Sequence, residues 1–280
     1  CDASATLDPH VAESWSLNPS VVVAGGGGDN AVSAIGVGAV APGDAFISLG
    51  TSGVLFVVNE AYRPAPQSAV HAFCHVLPNR WHQMSVMLSA ASCLQWFCRL
   101  VGITEAELLE EVAQLSDEQR ASAPQFLPYL SGERTPHNDP DAKGMFHGLT
   151  HSTNRALLGY AVIEGVSFGI ADGLRVLQES GTHIEQCSLV GGGARSPYWA
   201  QLLADILNMP IVTHKGGETG GALGAARLAC LATGQSVETV CKKPEIYKIY
   251  QATPARQEIL QQRYQAFSAL YQNDLRLRNK

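Results

Sequence analysis

Four consecutive glycines follow an apolar, β-branched run near the N-terminus, where Val21 to Gly38 reads VVVAGGGGDNAVSAIGVG. An acid and an amide, Asp29 and Asn30, come directly after them. Glycine loses more freedom on ordering than any other residue, so four together at a strand end need a physical reason. The pattern predicts a short buried strand over Val21–Ala24 and a small-residue helix over Ala31–Gly38. The same grammar, an apolar run broken by glycine, returns in SLGTSGV and in LVGGGARSPYW. Repetition of that unit points to an α/β domain, because open α/β sheets bind ligands where their strands end.

The remaining segments agree with that class. DAFISLGTSGVLFVVNE predicts a hairpin turning at GTSG, and AVHAFCHVLPNRWHQMSVML a second one turning at Leu77–Arg80. Helices are expected over Ala90–Leu100 and Glu105–Leu115. LPYLSGERTPHNDPDAKGMFHGLT holds too many prolines and glycines for long regular structure. Thr153 or Asn154 then caps a long helix reaching Leu177. CSLVGGGARSPYWAQLLADILNMPIVTH reads as strand, glycine turn, helix and strand, and GGETGGALGAARLACLATG as a glycine-opened helix. A polar helix over Arg256–Leu275 closes the chain.

Bulk properties exclude several function classes. With 280 residues and 46% hydrophobic content, the chain can bury a sizeable core as one large domain or two small ones. A formal charge of −6 without any lysine or arginine run leaves no nucleic-acid footprint. Apolar runs are short and interrupted, so no membrane span is expected, and no signal peptide is readable. Seven cysteines form no C-x-x-C pair and no metal spacing with histidine, which points to a reducing cytoplasm. The chain opens on Cys1, and a piece of something longer is expected.

The glycine turns are the candidate ligand sites. Gly50 and Gly53 can take positive φ and aim successive N–H groups at one anion, with Thr51 and Ser52 adding hydroxyls. A plain tight hairpin is the alternative. Gly191, Gly192 and Gly193 would let a flat ring or sugar approach, with Ser196 as N-cap and Pro197 at the first helical position. The small residues Gly221, Ala222, Gly224 and Ala225 predict a helix packed unusually close to a neighbour. Asp29 is either a general base at the ligand edge, with Asn30 beside it as donor and acceptor, or a helix cap. The histidines show no metal spacing, and Glu133, Arg134 and His137 form a polar knot without an assigned role.

In order along the chain, AGGGGDNA, SLGTSGV, FCHVLPNRWHQMSVMLSAASCL, FLPYLSGERTPHNDPDAKGMFHGLTH, AVIEGVSFGIADGL, LVGGGARSPYWAQLLADI and GALGAARLA resemble the C-terminal half of FGGY-family carbohydrate kinases, most of all the branch acting on D-xylulose. The resemblance covers nearly the whole chain. It implies a ribonuclease H-like (actin-like ATPase) fold, a mixed sheet flanked by helices, with residues 1–280 as the second lobe and the N-terminal lobe absent. It implies ATP and Mg²⁺ as cofactors, with ATP at Gly50, Thr51, Ser52 and Gly53 (a phosphate loop) and at Gly191, Gly192, Gly193 and Ser196 (an adenosine loop). Asp29 would be the catalytic base toward the C5 hydroxyl of D-xylulose, with Asn30 beside it in the sugar site, and GETGGALGAARLA a connecting helix. No residue of this chain is assigned to the metal, since the acid that helps hold Mg²⁺ and most sugar contacts belong to the missing lobe. A connecting segment between CDAS and VAESWSLNP is also expected to be missing. The implied partners are the sugar and the chain's own N-terminal lobe, dimers being common in the family. The isolated chain is expected not to turn over substrate. The alternatives are the same chemistry on gluconate, ribulose, fuculose or glycerol, a non-catalytic sugar or nucleotide sensor, and a partner-binding scaffold.

Overall fold

The computed structural model describes residues 2–216 and 220–278. It opens with β1 (Ala3–Thr6), α1 (Pro9–Ser14), β2 (Val22–Ala24) and α2 (Asp29–Val37). Two hairpins follow, β3 (Ala45–Leu49) with β4 (Gly53–Asn59), and β5 (His71–Cys74) with β6 (Trp81–Met87). Next come α3 (Ala91–Val101), α4 (Glu105–Ala113), α5 (Asp117–Ala121), the small pair β7 (Gln125–Leu127) and β8 (Met145–His147), and the long helix α6 (Arg155–Glu179). The last part runs β9 (Cys187–Val190), α7 (Pro197–Leu207), β10 (Ile211–His214), α8 (Gly220–Ala232), α9 (Val237–Val240), β11 (Ile246–Tyr250) and α10 (Gln257–Arg278).

Seven strands form one mixed sheet in the order β11-β10-β9-β3-β4-β6-β5. β10, β9 and β3 run parallel, and every other pairing is antiparallel. The period-2 alternation of β3 and β4 explains why both faces are covered. Ala45, Ile47, Leu49, Leu55 and Val57 face a core built with α3, α4, α6 and α7. Phe46, Val54, Phe56 and Val58 face the other way, against Ala34 and Val37 of α2. This is the mixed sheet flanked by helices that the sequence predicts.

Local signals account for most boundaries. The Asn154 side chain accepts from Leu157 N at 3.0 Å and starts α6. Thr104 with Glu107, and Ser116 with Gln119, form capping boxes at α4 and α5. Among the described residues α6 alone is long and apolar enough to cross a membrane, but 89% of its apolar window is buried inside the fold, so it is the core helix. α10 packs back through Arg263, whose Nε donates to Glu164 Oε1 on α6 at 2.6 Å and whose Nη1 reaches the Ala121 and Ala123 carbonyls at 3.0 Å each.

The strand around Val21–Ala24 needs correction. β2 pairs only with β1 in a separate two-stranded sheet, and Val21 and Val23 are 39% and 42% exposed. It is not a buried strand, because among the described residues little covers Val21 and Val23. The edge strand β11 was not expected. Its sequence IYKIY shows no apolar alternation, and Ile246, Tyr247 and Ile249 are exposed.

Two buried histidines and the partly buried His137 carry a consequence. His82 stacks on Phe56 at 4.6 Å, and His75 lies edge-on to the same ring at 6.2 Å. Burial lowers both to about 4, and it lowers His137 to about 4 as well. The unfolded chain takes up these protons near pH 6.5, whereas the folded chain does so only near pH 4. Their contribution to stability is therefore complete above pH 6.5 and is lost as pH falls toward 4, by up to about 3 kcal/mol per histidine. His82→Phe should remove its share, so the stability gap between wild type and variant should shift in the variant's favour from pH 7 to pH 4. Urea midpoints measured across that range check this, and a gap that does not change with pH would refute it.

Candidate functional site

The two central glycine turns meet at one edge of the sheet. β3 and β9 are parallel neighbours, with Ser48 opposite Val190, so both strands end on the same side. The turn after β9 is then pressed against the end of β3. Gly191 has φ +86°, and a Cβ there would lie 2.9 Å from the Leu49 carbonyl oxygen, so no other residue fits. β10, parallel to β9, brings His214, Lys215 and Gly216 to the same edge.

Gly50–Gly53 makes the tight connection between β3 and β4, with Gly50 N donating to Ser52 O at 3.1 Å. Neither Gly50 nor Gly53 has a positive φ, which corrects the expected basis for an anion nest. Space at Gly53 is tight instead, since a Cβ would sit 3.2 Å from Ala90 Cβ and 3.4 Å from Met87 Cβ and these neighbours would have to give by a few tenths of an ångström. The carbonyls of this turn are held from behind. Ala91 N donates to Gly50 O at 2.8 Å, while Ala90 N (2.9 Å) and Ser92 Oγ (2.8 Å) donate to Thr51 O. Thr51 and Ser52 are exposed, and among the described residues their amides and hydroxyls have no hydrogen-bond partner. The turn thus presents donors outward with its acceptors already engaged, which suits an anion.

The second turn continues into a short 3₁₀ segment, Gly192–Arg195, and then α7. Ser196 is the N-cap, its Oγ accepting from Trp199 N at 3.2 Å, and Pro197 takes the first helical position. Gly192 is exposed and Gly193 is buried against Leu49. Beside the turn lies a cavity of about 350 Å³, bounded by Gly191, Ala194, Pro197, His214, Lys215 and Tyr247. His214 is fixed by Ser188 Oγ at 2.9 Å and the Pro244 carbonyl at 3.0 Å, and burial lowers its pKa. A cavity of about 250 Å³ between α5, α7 and α10 contains none of the predicted residues. Its Arg120 and Arg256 are paired with Asp117, and Arg256 also with the buried Asp205.

Asp29 and Asn30 open α2, which follows the glycine run. Gly28, not Asp29, is the N-cap of α2, and Asp29 is its first residue. The Asp29 side chain is exposed and accepts from Asn30 N at 2.7 Å and Asn30 Nδ2 at 3.2 Å. Neither residue shares a hydrogen bond with the Gly50–Gly53 or Gly191–Gly193 turns. The carboxylate has no ion-pair partner among the described residues, so no structural contact consumes it.

The predicted close packing of the glycine-opened helix is present. A Cβ at Gly224 would fall 1.9 Å from Val32 O, and one at Gly36 would fall 1.8 Å from Gly220 O. α2 and α8 therefore touch backbone to backbone, and Arg227 Nη1 seals the pair by donating to Ile35 O and Gly36 O at 2.8 and 2.9 Å. The Gly217–Thr219 part of GETGGALGAARLA lies outside the described residues. The His214, Lys215 and Tyr247 wall of the cavity was not expected, because Tyr247 lies on the strand whose pattern carries no strand signal. Glu133 is buried and His137 partly so, and the polar composition of their loop was the only hint of that.

Comparison with known proteins agrees with this geometry. The FGGY family of carbohydrate kinases, C-terminal domain, matches residues 45–233, so Asp29 lies before the matched range. The xylulose kinase of Escherichia coli K12 is 48% identical over 278 residues, which is 99% of this chain and 57% of that protein. A solved structure from Brucella ovis, described as a xyloylose kinase, superposes with a TM-score of 0.93 at 48% identity, over 99% of this chain and 57% of that one. A gluconate kinase structure from Lactobacillus acidophilus shares the fold with a TM-score of 0.86 at 24% identity, over 98% of this chain and 56% of its own. The chain thus spans a little over half the length of the relatives it matches. With a sheet, turns and motif order of this kind, the chain belongs to the FGGY family of carbohydrate kinases.

Proposed function

We propose that this chain is the C-terminal lobe of a kinase that transfers the γ-phosphoryl group of ATP to D-xylulose, giving D-xylulose 5-phosphate. The observation that carries the reading is the junction of two glycine turns at one sheet edge, one offering unpartnered N–H and O–H donors and the other bordering a cavity. Near-half identity to a protein named xylulose kinase over almost the full chain supports D-xylulose as the sugar. Phosphates would rest on Gly50–Gly53 and the adenosine on Gly191–Gly193, at the N-terminal end of α7. Asp29 is the group that takes the proton as the C5 oxygen bonds to phosphorus and the bond to the β-phosphate breaks. A carboxylate is a weak base for an alcohol, but it can act late in a loose transition state. Among the described residues no group of three or more His, Cys, Asp or Glu that could hold a metal occurs. We assign metal binding and most sugar contacts to an N-terminal lobe, with ATP gripped between the two lobes and dimers as the assembled state.

The test joins this chain to the part of the Escherichia coli xylulose kinase that it does not cover, beside the 280-residue chain alone. The joined protein should phosphorylate D-xylulose in preference to gluconate, ribulose, fuculose and glycerol, and the chain alone should not turn over. Faster turnover of another of these sugars would reassign the substrate. ATP consumption with none of them would overturn the reading.

A further inference from the structure

Glu133 lies in the loop between β7 and β8, and only 2% of it is exposed. Its Oε1 accepts from the Leu88 amide at 2.9 Å and the Arg134 amide at 2.7 Å, while Oε2 is enclosed without a hydrogen-bond partner. The backbone of the same loop is tied down twice. Glu133 and Asp139 exchange amide-to-carbonyl bonds of 2.9 and 2.8 Å, and Thr135 grips Val86 by giving to its carbonyl (3.1 Å) and accepting from its amide (3.0 Å). The loop therefore holds the end of β6 at residues 86 and 88. Only the buried Ser89 separates Leu88 from Ala90 and Ala91, whose amides hold the carbonyls of Thr51 and Gly50. At the same junction Gly53 lies close against Ala90 and Met87, where a Cβ would come within 3.2 and 3.4 Å of their Cβ atoms.

We propose that Glu133 is a positioning residue for the Gly50–Gly53 turn. By holding the Leu88 amide it sets where Ala90 and Ala91 present their N–H groups, and so the direction in which Thr51 and Ser52 offer theirs to the phosphates of a nucleotide. The inference rests on the nucleotide reading of that turn. Burial raises the carboxyl to about 7, so much of it is neutral near physiological pH, and glutamine is a close substitute in shape and in its acceptor oxygen. Alanine would take the acceptor from two part-buried amides, those of Leu88 and Arg134.

Calorimetry on the joined protein, this chain completed by the part of the Escherichia coli xylulose kinase that it does not cover, with the non-hydrolysable β,γ-imido analogue of ATP and with AMP, decides the matter. Glu133→Ala should weaken the ATP analogue at least tenfold and AMP less than twofold, and Glu133→Gln should return the analogue to within threefold of wild type. Equal losses for both ligands, no loss in Glu133→Ala, or a glutamine variant as weak as alanine would each overturn the inference. Should Glu133→Ala show no cooperative melt, Glu133→Asp replaces it. Its shorter side chain should weaken the analogue as alanine would, and aspartate and glutamine variants of equal affinity would count against the proposal. A wild-type joined protein that binds neither ligand would sink the nucleotide reading itself, whereas a binding wild type with an unaffected variant would sink only the role of Glu133.

Discussion

Asp29→Asn, made in the protein completed by an N-terminal lobe, should lower kcat for phosphoryl transfer by about 10³-fold while changing ATP affinity less than twofold. The reason is that Asp29 is available. Its side chain is exposed, bonds only to the neighbouring Asn30 among the described residues, and has no cation to neutralise. Asparagine keeps an oxygen for the Asn30 amide but cannot take a proton from an alcohol. The structural cost should be small, because the only other change is loss of one negative charge from the first turn of α2, worth about 0.3–1 kcal/mol. Steady-state kinetics with a thermal melt of the same sample separate the two effects. A variant that keeps kcat within threefold of wild type would remove Asp29 from the chemistry and leave its position beside the Gly28 cap as its explanation.

Gly224→Ala should destabilise the fold by about 3 kcal/mol or more, because overpacking against backbone cannot relax by a rotamer change. The new methyl would begin 1.9 Å from Val32 O, so α2 or α8 must translate to admit it. Such a shift would also strain the bonds from Arg227 to the Ile35 and Gly36 carbonyls. For a chain of this size the loss corresponds to a fall in Tm of roughly 6 to 12 °C. Gly221→Ala is the matched control. There the methyl meets only Ser33 Oγ at 3.6 Å, an ordinary contact, and relief from a helical glycine should leave stability equal or up to about 1 kcal/mol higher. If the two variants melted together, the packing of α2 on α8 would not be the tight joint described above. Because α2 carries Asp29 at its first position, Gly224→Ala should lower phosphoryl transfer as well.

Some of the architecture follows from local chemistry and some does not. Asn154, Ser196 with Pro197, and the GTSG and Leu77–Arg80 turns carry their instructions in a few neighbouring residues, and each lies where those residues place it. The alternation of β3 and β4 likewise specifies two buried faces without reference to the rest of the chain. The small residues Gly221, Ala222, Gly224 and Ala225 of α8 announced a close approach, though not to which helix. By contrast, VVVA looks like core but is half exposed, since periodicity reports which residues are apolar and not whether anything covers them. Gly53 is crowded by Met87 and Ala90, a fact about a neighbouring strand and helix that no local φ preference contains. β11 pairs at the sheet edge on one side only, where backbone bonding rather than side-chain pattern makes the strand.

The sequence by itself therefore determined the fold class, the order of the glycine turns and the residues offered for nucleotide and sugar chemistry, all of which depend on neighbours within a few positions. Only the tertiary structure decided that two of those turns meet across Leu49, and that Glu133, some eighty residues beyond the Gly50–Gly53 turn, lies behind it. Burial and hydrogen-bond partners across such separations are set by how strands and helices stack, and no short stretch of chain encodes them.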